Sequence, residues 1–521
     1  MARGQRSVRQ RRPTRRRGRD RPGAAGQTAR PGAGLNVHDA RLVPAALAAW
    51  AVTAAGIVWE SPGAAVAAVV SVVACSVLGR CSLGRFGGHR ALATGVAAVA
   101  VVAGGFAVAI GLRAEQVRHH PATGYLGAST SVVVSPTESP RVLDGGRVMF
   151  RAVLLRLDGA ESFGRVIVFA SGSDYVGAAA GQPLAFRARV ATPRRRDLSV
   201  AVLTARGPPR AGEPAPVQRA AQHVRASFAQ VSRLVLPAEQ AAVLPALVLG
   251  DTSTVPAHTT AEFRRAGLTH LTAVSGANVT IVCGAVMLTA ALVGPRAAVG
   301  LAAVALAGFV VVVQPSPSVL RAAAMGAIAL LAVLSHRRRQ ALPALAATVL
   351  GLMVVSPELA VDVGFALSVA ATAALVLIAP VWSRRLRDRG WPRPLADAVS
   401  VALAAQLVTA PLVAGVSGSV SLVGVMANLL VAPVIPPITV IGTAAAALSA
   451  LWPAGAGLLI RFTGPEVWWL LAVARHSAAL PGASVPVPSG WAGVLTVALV
   501  TAVGAAVWHW ALSCRRDTIV R

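Results

Sequence analysis

The 521-residue chain contains no lysine; its 49 basic residues are all arginine, set against 20 acidic residues. A phosphate-binding P-loop needs its lysine to reach the outer phosphates of a nucleotide, so the chain cannot hold a motor of that kind. Work driven by ATP has to come from a separate protein. Cysteine is scarce as well. Cys75, Cys81, Cys283 and Cys514 are far apart or set in hydrophobic runs, without metal-ligand spacing, which predicts neither a zinc site nor a structural disulfide in the polar segment. No other metal site or cofactor is expected.

What the chain has in quantity is apolar sequence. Its hydrophobic share of 55% exceeds the roughly 45–50% of soluble domains. Several runs approach or exceed the roughly 18 apolar residues of a spanning helix. The fold expected is a polytopic α-helical membrane protein. The exclusive use of arginine, with abundant Ala, Gly and Val, also fits codon bias in a GC-rich genome.

Residues 1–40 form an arginine-rich tail, too charged to bury anything; its first 33 residues hold eleven Arg against one Asp. Three roles are open to it: fixing the N-terminus in the cytoplasm by the positive-inside rule, contact with anionic lipid, or nucleic-acid binding. Three spans are expected within 41–111, at about 41–58, 63–79 and 91–111. The turn between the first two carries no arginine, whereas the next carries Arg80, Arg85 and Arg90. That asymmetry sends the following segment to the outside.

Residues 112–210 differ in kind. Short β-rich runs at Ser129–Ser135, Arg147–Leu157, Arg165–Ser171, Pro183–Val190 and Ser199–Arg206 are punctuated by Gly, Pro, Asp and Ser. They predict about five strands of a small barrel or sandwich. The segment holds 14 Arg and 7 acidic residues, a net charge of +7. Arg147, Arg151, Arg156, Arg187, Arg189, Arg194, Arg195 and Arg196 are candidates for tracking a phosphate backbone. The plain alternative is a solvated basic surface without a ligand. Tyr125, Phe150, Phe163, Phe169, Tyr175 and Phe186 are the few aromatics, expected mostly in the core. From 211 to 236, Val217, Ala220, Ala221, Val224, Phe228, Val231 and Leu234 recur at three and four residues, which predicts an amphipathic linking helix on the bilayer or on the outer face of the membrane region.

Residues 237–513 are the main membrane region, opened by the polar stretch Leu247–Val279. Asp251, Arg264, Arg265, His270, Ser275 and Asn278 fall within it, just before a long hydrophobic span. Polar groups at the mouth of a membrane bundle are costly unless they face water, a partner or a substrate. Ala241–Leu249 is apolar but short and carries Pro245, so a re-entrant or broken helix is expected. Asp251 at depth needs a partner, for which Arg264, Arg265, Arg321 and His270 are the candidates. Asp362 is a further acid, either paired with Arg321 or separate from it. Gln406, Thr409 and Asn428 sit in apolar runs, where they bond between helices or line a pore. Ten spans are expected, at about 278–294, 297–313, 319–334, 341–355, 364–381, 396–416, 421–434, 437–452, 457–475 and 491–513, before a short tail at 514–521. The basic connectors Ser335–Gln340 and Ser383–Pro394 mark the inner side.

The motifs LGD and FRRAGLTHLTAVSGANV, followed by PSPSVLRAAAM (315–325), SPELAVDVGFALSVAAT (356–372) and AQLVTAPL (405–412), resemble in order and spacing the ComEC-type competence proteins. The resemblance covers roughly residues 238–513. It implies an OB-like extracytoplasmic barrel inserted after the first spans. The function it implies is a cell-membrane channel for entry of single-stranded DNA during natural transformation, without catalysis. Asp251, Arg264, Arg265, His270, Ser275, Asn278, Arg321, Asp362 and Gln406 are the candidates for lining or gating its path. Single-stranded DNA and the bilayer are the partners implied, with a separate DNA receptor, nuclease and ATP-driven motor; homo-oligomerisation is left open. Many members of that family continue into a metallo-β-lactamase-like nuclease domain. Its His-rich motif is not found here, so nuclease activity is not carried over. Ala366 stands where the family pattern often has Gln. The rival readings are a permease for another anionic or lipid-linked solute and a membrane scaffold.

Overall fold

The computed structural model describes residues 40–59, 87–274, 276–314, 316–335 and 340–504. The arginine-rich tail up to residue 39, the span expected at 63–79, the side chain of Ser275, Arg337–Arg339 and the 514–521 tail lie outside them, as do Cys75, Cys81 and Cys514.

Two helices come first, α1 (Val43–Trp59) and α2 (Gly87–Arg118). The chain then enters a sheet made of β1 (Ser129–Pro136), β2 (Arg141–Val142), β3 (Arg147–Leu157), β4 (Ala160–Ser171), β5 (Leu184–Ala191) and β6 (Ala201–Ala211). The strand order is β1-β5-β6-β4-β3-β2, and β1 also pairs with β3. That second pairing closes β1, β3, β4, β6 and β5 into a five-stranded barrel. Only β4 and β6 run parallel. This connectivity is that of an OB fold.

Alternation in the sequence is what makes the barrel. Along β3, Val148, Phe150, Ala152, Leu154 and Leu157 point inward between more exposed neighbours. Phe150, Tyr175 and Phe186 form the centre of the core, with Tyr175 edge-on to Phe186 at 5.6 Å and its hydroxyl donating to the Gly207 carbonyl at 2.9 Å. Each such fully buried side chain contributes roughly 1.5–3 kcal/mol of burial. Phe163 is exposed and Phe169 half-buried, so these two rings stand outside that core.

Helices follow to the end: α3 (Pro216–Val235), α4 (Ala238–Leu249), α5 (Ala257–Arg265), α6 (Gly276–Ala290), α7 (Pro295–Val313), α8 (Pro317–Leu334), α9 (Ala341–Val355), α10 (Val363–Leu377), α11 (Ala379–Arg387) and α12 (Arg393–Ser417). After the short strand β7 (Ser419–Ser421) come α13 (Gly424–Val431), α14 (Ile435–Ser449), α15 (Pro453–Phe462) and α16 (Gly464–Ala479). Strand β8 (Ser484–Pro486) then pairs antiparallel with β7 before α17 (Trp491–Gly504). Among the described residues, five helices are long and apolar enough to cross a membrane: α2, α7, α8, α10 running on into α11, and α12. The protein is thus a polytopic helical membrane protein with an inserted barrel.

The span pattern after residue 420 differs from the sequence expectation. The segments expected as separate spans at 421–434 and 437–452 are one bent pair, α13 and α14, meeting at 55°, and the span expected at 457–475 is the pair α15–α16, broken at 45°. Proline explains both breaks. Pro433, Pro436 and Pro437 crowd the first junction and Pro465 follows the second, each removing a backbone donor and clashing with the preceding turn. Counting each pair as one span raises the total to seven. Helix α2, where the third span was expected, outruns the expected end at 111 and continues to Arg118.

The barrel is seated on the helices by polar contacts. Arg165 pairs with Glu358, and Arg151 lies 3.8 Å from Asp362. The Ser139 amide and hydroxyl both donate to Gln314 Oε1 at 3.2 Å. Arg196 donates to the Val58 carbonyl at 2.6 Å. These contacts fall where α1 and α7 end and where α10 begins, so they define one face of the bundle. Chain direction places the end of α8, the start of α9 and the arginine-bearing end of α11 on the opposite face.

Candidate functional site

The polar stretch begins with a helix stop. Helix α4 is continuous through Pro245, and its residues Val243–Leu249 are buried. At twelve residues it reaches about 18 Å, too short to cross a bilayer. Gly250 ends it in the left-handed region (φ 71°), its amide bonding to Ala246 while the Asp251 amide reaches back to Pro245. Only glycine takes this conformation without strain. The LGD motif is therefore a helix terminator that delivers a carboxylate.

That carboxylate has a partner none of the candidates anticipated. Asp251 Oδ2 lies 3.5 Å from Arg225 Nη2, on α3, and Oδ1 accepts from the Ser253 hydroxyl at 2.6 Å and amide at 3.2 Å. Arg264, Arg265, His270 and Arg321 do not pair with it. Arg225 also donates to the Val312 carbonyl at 3.4 Å and the Ser139 hydroxyl at 3.5 Å. One side chain, 11% exposed, joins the linking helix, the polar stretch, the end of α7 and the barrel.

Arg264 and Arg265 close α5 and are exposed, with Phe263 buried beneath them as an anchor. The turn after them is fixed by Gly267 (φ 72°), where an added Cβ would lie 3.0 Å from the Gly424 Cα. The Ser421 hydroxyl donates to the Arg265 carbonyl at 2.8 Å, and Gln406 Nε2 donates to the Ser421 carbonyl at 3.3 Å. Asn428 donates to the carbonyls of Gly424 and Gly267. Gln406 and Asn428 thus brace the basic corner from below. His270 is exposed beside this corner and hydrogen-bonds the Gly267 backbone. Asn278 is buried and donates to the Leu247 carbonyl at 3.1 Å, tying α6 to α4.

Arg321 and Asp362 are separate. Asp362 caps α10 by accepting from the Phe365 amide at 2.9 Å and faces Arg151 of the barrel. Arg321 is buried at 7% exposure in α8; its Nε donates to the Ser368 hydroxyl at 2.7 Å, and Nη1 lies 3.3 Å from the Met325 sulfur.

On the barrel, Arg147, Arg156, Arg187, Arg189, Arg194 and Arg195 are exposed. Arg187 stands between Ser131 on β1 and Arg206 on β6, and Arg189 between Ser129 and Thr204. Arg151 and Arg196 are occupied in docking, so they are not part of a free basic surface. The residues that sequence reasoning missed are Arg225, Arg165, Glu358 and Gln314. For Arg225 there was a signal: it shares helical spacing with Ala221 and Phe228, the buried stripe of α3. Among the described residues, no group of three His, Cys, Asp or Glu side chains could hold a metal.

The model of the family described as "Competence protein" matches residues 247–512, from the end of α4 past α17. The chain belongs to the Competence protein family. The family domain therefore opens on the terminator that presents Asp251 and includes the basic corner, Arg321, Asp362 and Gln406. This Competence-family chain is also similar to ComE operon protein 3 of Bacillus subtilis (strain 168), being 26% identical over 202 residues, 38% of this chain and 25% of that protein. The aligned part is thus a quarter of the relative's length. No solved structure matches the chain.

Proposed function

We propose that this protein is the cell-membrane conduit through which single-stranded DNA enters the cytoplasm during natural transformation. The observation that carries the reading is the seating of an OB-topology barrel, through Arg151–Asp362 and Arg165–Glu358, on the face of the family domain where the 251–278 stretch opens. The barrel face is external. Arg384, Arg385, Arg387, Arg389 and Arg393 lie at the opposite end of the bundle, and short connectors rich in arginine stay in the cytoplasm, whereas long domains cross regardless of charge. Helix α1 ends at the barrel face, which supports a cytoplasmic N-terminus in this reading. The exposed arginines of β5 and β6 and of α5 supply a basic route for a phosphate backbone, whose counterions are released on contact. Receptor, nuclease and motor are separate proteins in this reading.

The test is entry of labelled DNA into cells lacking the gene, complemented with wild type or with an Arg264→Gln/Arg265→Gln double variant. Wild type restores entry, and the double variant reaches the membrane in normal amount with entry reduced at least tenfold. A scaffold predicts full entry with the double variant. Unchanged entry in the deletion strain would overturn the reading and redirect the search to another anionic solute.

A further inference from the structure

Arg321 is a cation in the wrong place for an unoccupied bundle. It is the fifth residue of α8, and its Nη2 lies 2.9 Å from where a Cβ on Gly276, the first residue of α6, would sit. Helix N-termini carry about half a positive charge each, so a guanidinium abutting two of them is repelled by both. A third start lies close by, since Nε is held by Ser368 near the beginning of α10. The remaining contact is the Met325 thioether, a weak acceptor. Among the described residues no carboxylate lies within salt-bridge distance of Arg321, and Nη2 makes no hydrogen bond. Guanidinium does not shed its proton in proteins. A buried charge in a membrane bundle is therefore left without a counter-ion from the chain.

The surroundings hold that arrangement in place. The Ser318 hydroxyl donates to the Val274 carbonyl at 3.0 Å, clamping the approach to α6 onto the first turn of α8. Ser316 caps α8 by accepting from the Val319 amide. Because Gly276 has no side chain, Nη2 packs directly against the first residue of α6, where a Cβ would crowd it. A forked donor beside the positive end of a helix dipole suits a tetrahedral oxyanion.

The geometry points to a binding site for one phosphate-type oxyanion, formed by Arg321 with the N-terminal ends of α6 and α8. In a protein that passes DNA, its physiological occupant is a phosphodiester of the strand; only that last step rests on the function proposed above. A free phosphate and a lipid phosphate share the chemistry.

The experiment uses the full chain, purified in an uncharged detergent, with thermal stability followed as anion is added. The probes are inorganic phosphate, a short oligothymidylate, phosphatidylglycerol in mixed micelles, and chloride as control. Phosphate raises the unfolding midpoint of the wild type in proportion to the logarithm of its concentration, and chloride at equal ionic strength does not. In Arg321→Gln the apparent affinity falls at least tenfold. Arg321→Lys keeps the charge without the fork and is intermediate. Gly276→Ala, which crowds Nη2 while leaving the arginine in place, also weakens binding and covers the case in which Arg321→Gln does not fold. Undiminished protection in Arg321→Gln and Gly276→Ala, or no protection of the wild type by any phosphate, overturns the site. Protection by phosphate or lipid through Arg321, with none by oligothymidylate and no defect of DNA entry in the deletion strain, keeps the site and removes the DNA reading. DNA entry that depends on the gene and is unchanged in Arg321→Gln removes the phosphodiester as its occupant.

Discussion

Replacing Arg225 with methionine tests whether one buried guanidinium holds the barrel, the linking helix and the polar stretch together. Methionine keeps the apolar stem and removes the charge. What is lost is an ion pair at 3.5 Å to Asp251 and two further hydrogen bonds, with Arg225 11% and Asp251 22% exposed. Breaking a fully buried pair costs about 3–5 kcal/mol because the remaining charge is stranded. Asp251 keeps its bonds to Ser253 and some contact with solvent, and the separations are long, so we expect about 2 kcal/mol. That is a change of roughly thirtyfold in the folded-to-unfolded ratio. The assay is thermal inactivation in detergent of wild type, Arg225→Met, Asp251→Asn and the double variant. Each single change destabilises, and the double variant is no worse than Arg225→Met alone, because no charge is then left behind. Arg219→Met is the control: Arg219 sits 3.8 Å from Glu213 in a largely exposed pair and should have little effect. Equal effects of Arg225→Met and Arg219→Met would refute the joint.

Four more predictions concern other parts of the molecule. Glu358→Gln combined with Asp362→Asn removes both carboxylates under the barrel; limited proteolysis between β6 and α3 should speed up severalfold, and high salt should have the same effect on the wild type. Gly442→Ala places a methyl 2.4 Å from Val248 Cγ2 where α14 crosses α4, costing about 1–3 kcal/mol in unfolding experiments; adding Val248→Ala should restore most of the loss. His120 sits buried at the foot of the barrel, its Nδ1 accepting from the Ala122 amide and its Nε2 facing the Ser162 hydroxyl, and burial lowers its pKa. The unfolded chain then binds the proton more readily, so barrel stability is full above the ordinary histidine pKa and falls as pH drops below about 6.5; His120→Gln should flatten that dependence in circular dichroism melts. Gly267→Ala meets both a left-handed backbone and the Gly424 Cα, and should reduce the amount of protein in the membrane by more than Gly300→Ala, which meets nothing.

The barrel was legible because a period of two survives in short runs: Val148, Phe150, Ala152 and Leu154 spell the inner face of β3 without help from the rest of the chain. The membrane helices were legible by length, up to the point where proline bends them. Hydropathy sums residues and does not register direction, so α13–α14 and α15–α16 read as separate or unbroken spans. The sequence yields the candidate residues only as a list, without their pairing. Asp251 and Arg225 are joined only by the return of α3 against the bundle, and Arg151 meets Asp362 only because the barrel docks. Such pairs depend on how units are placed, which no local spacing encodes. Arg321 differs: its position in the first turns of a helix was visible from Pro315–Ser318, but the lack of a facing acid needed the fold.

Helices α6 and α9 are fifteen residues each. At 1.5 Å per residue they reach about 22 Å, against a hydrocarbon thickness of about 30 Å. Both pack against α8, the helix that carries Arg321. A bilayer meeting helices this short accommodates them by local thinning. Under the proposed function, thinning beside α8 shortens the low-dielectric distance that an ionic polymer has to cross.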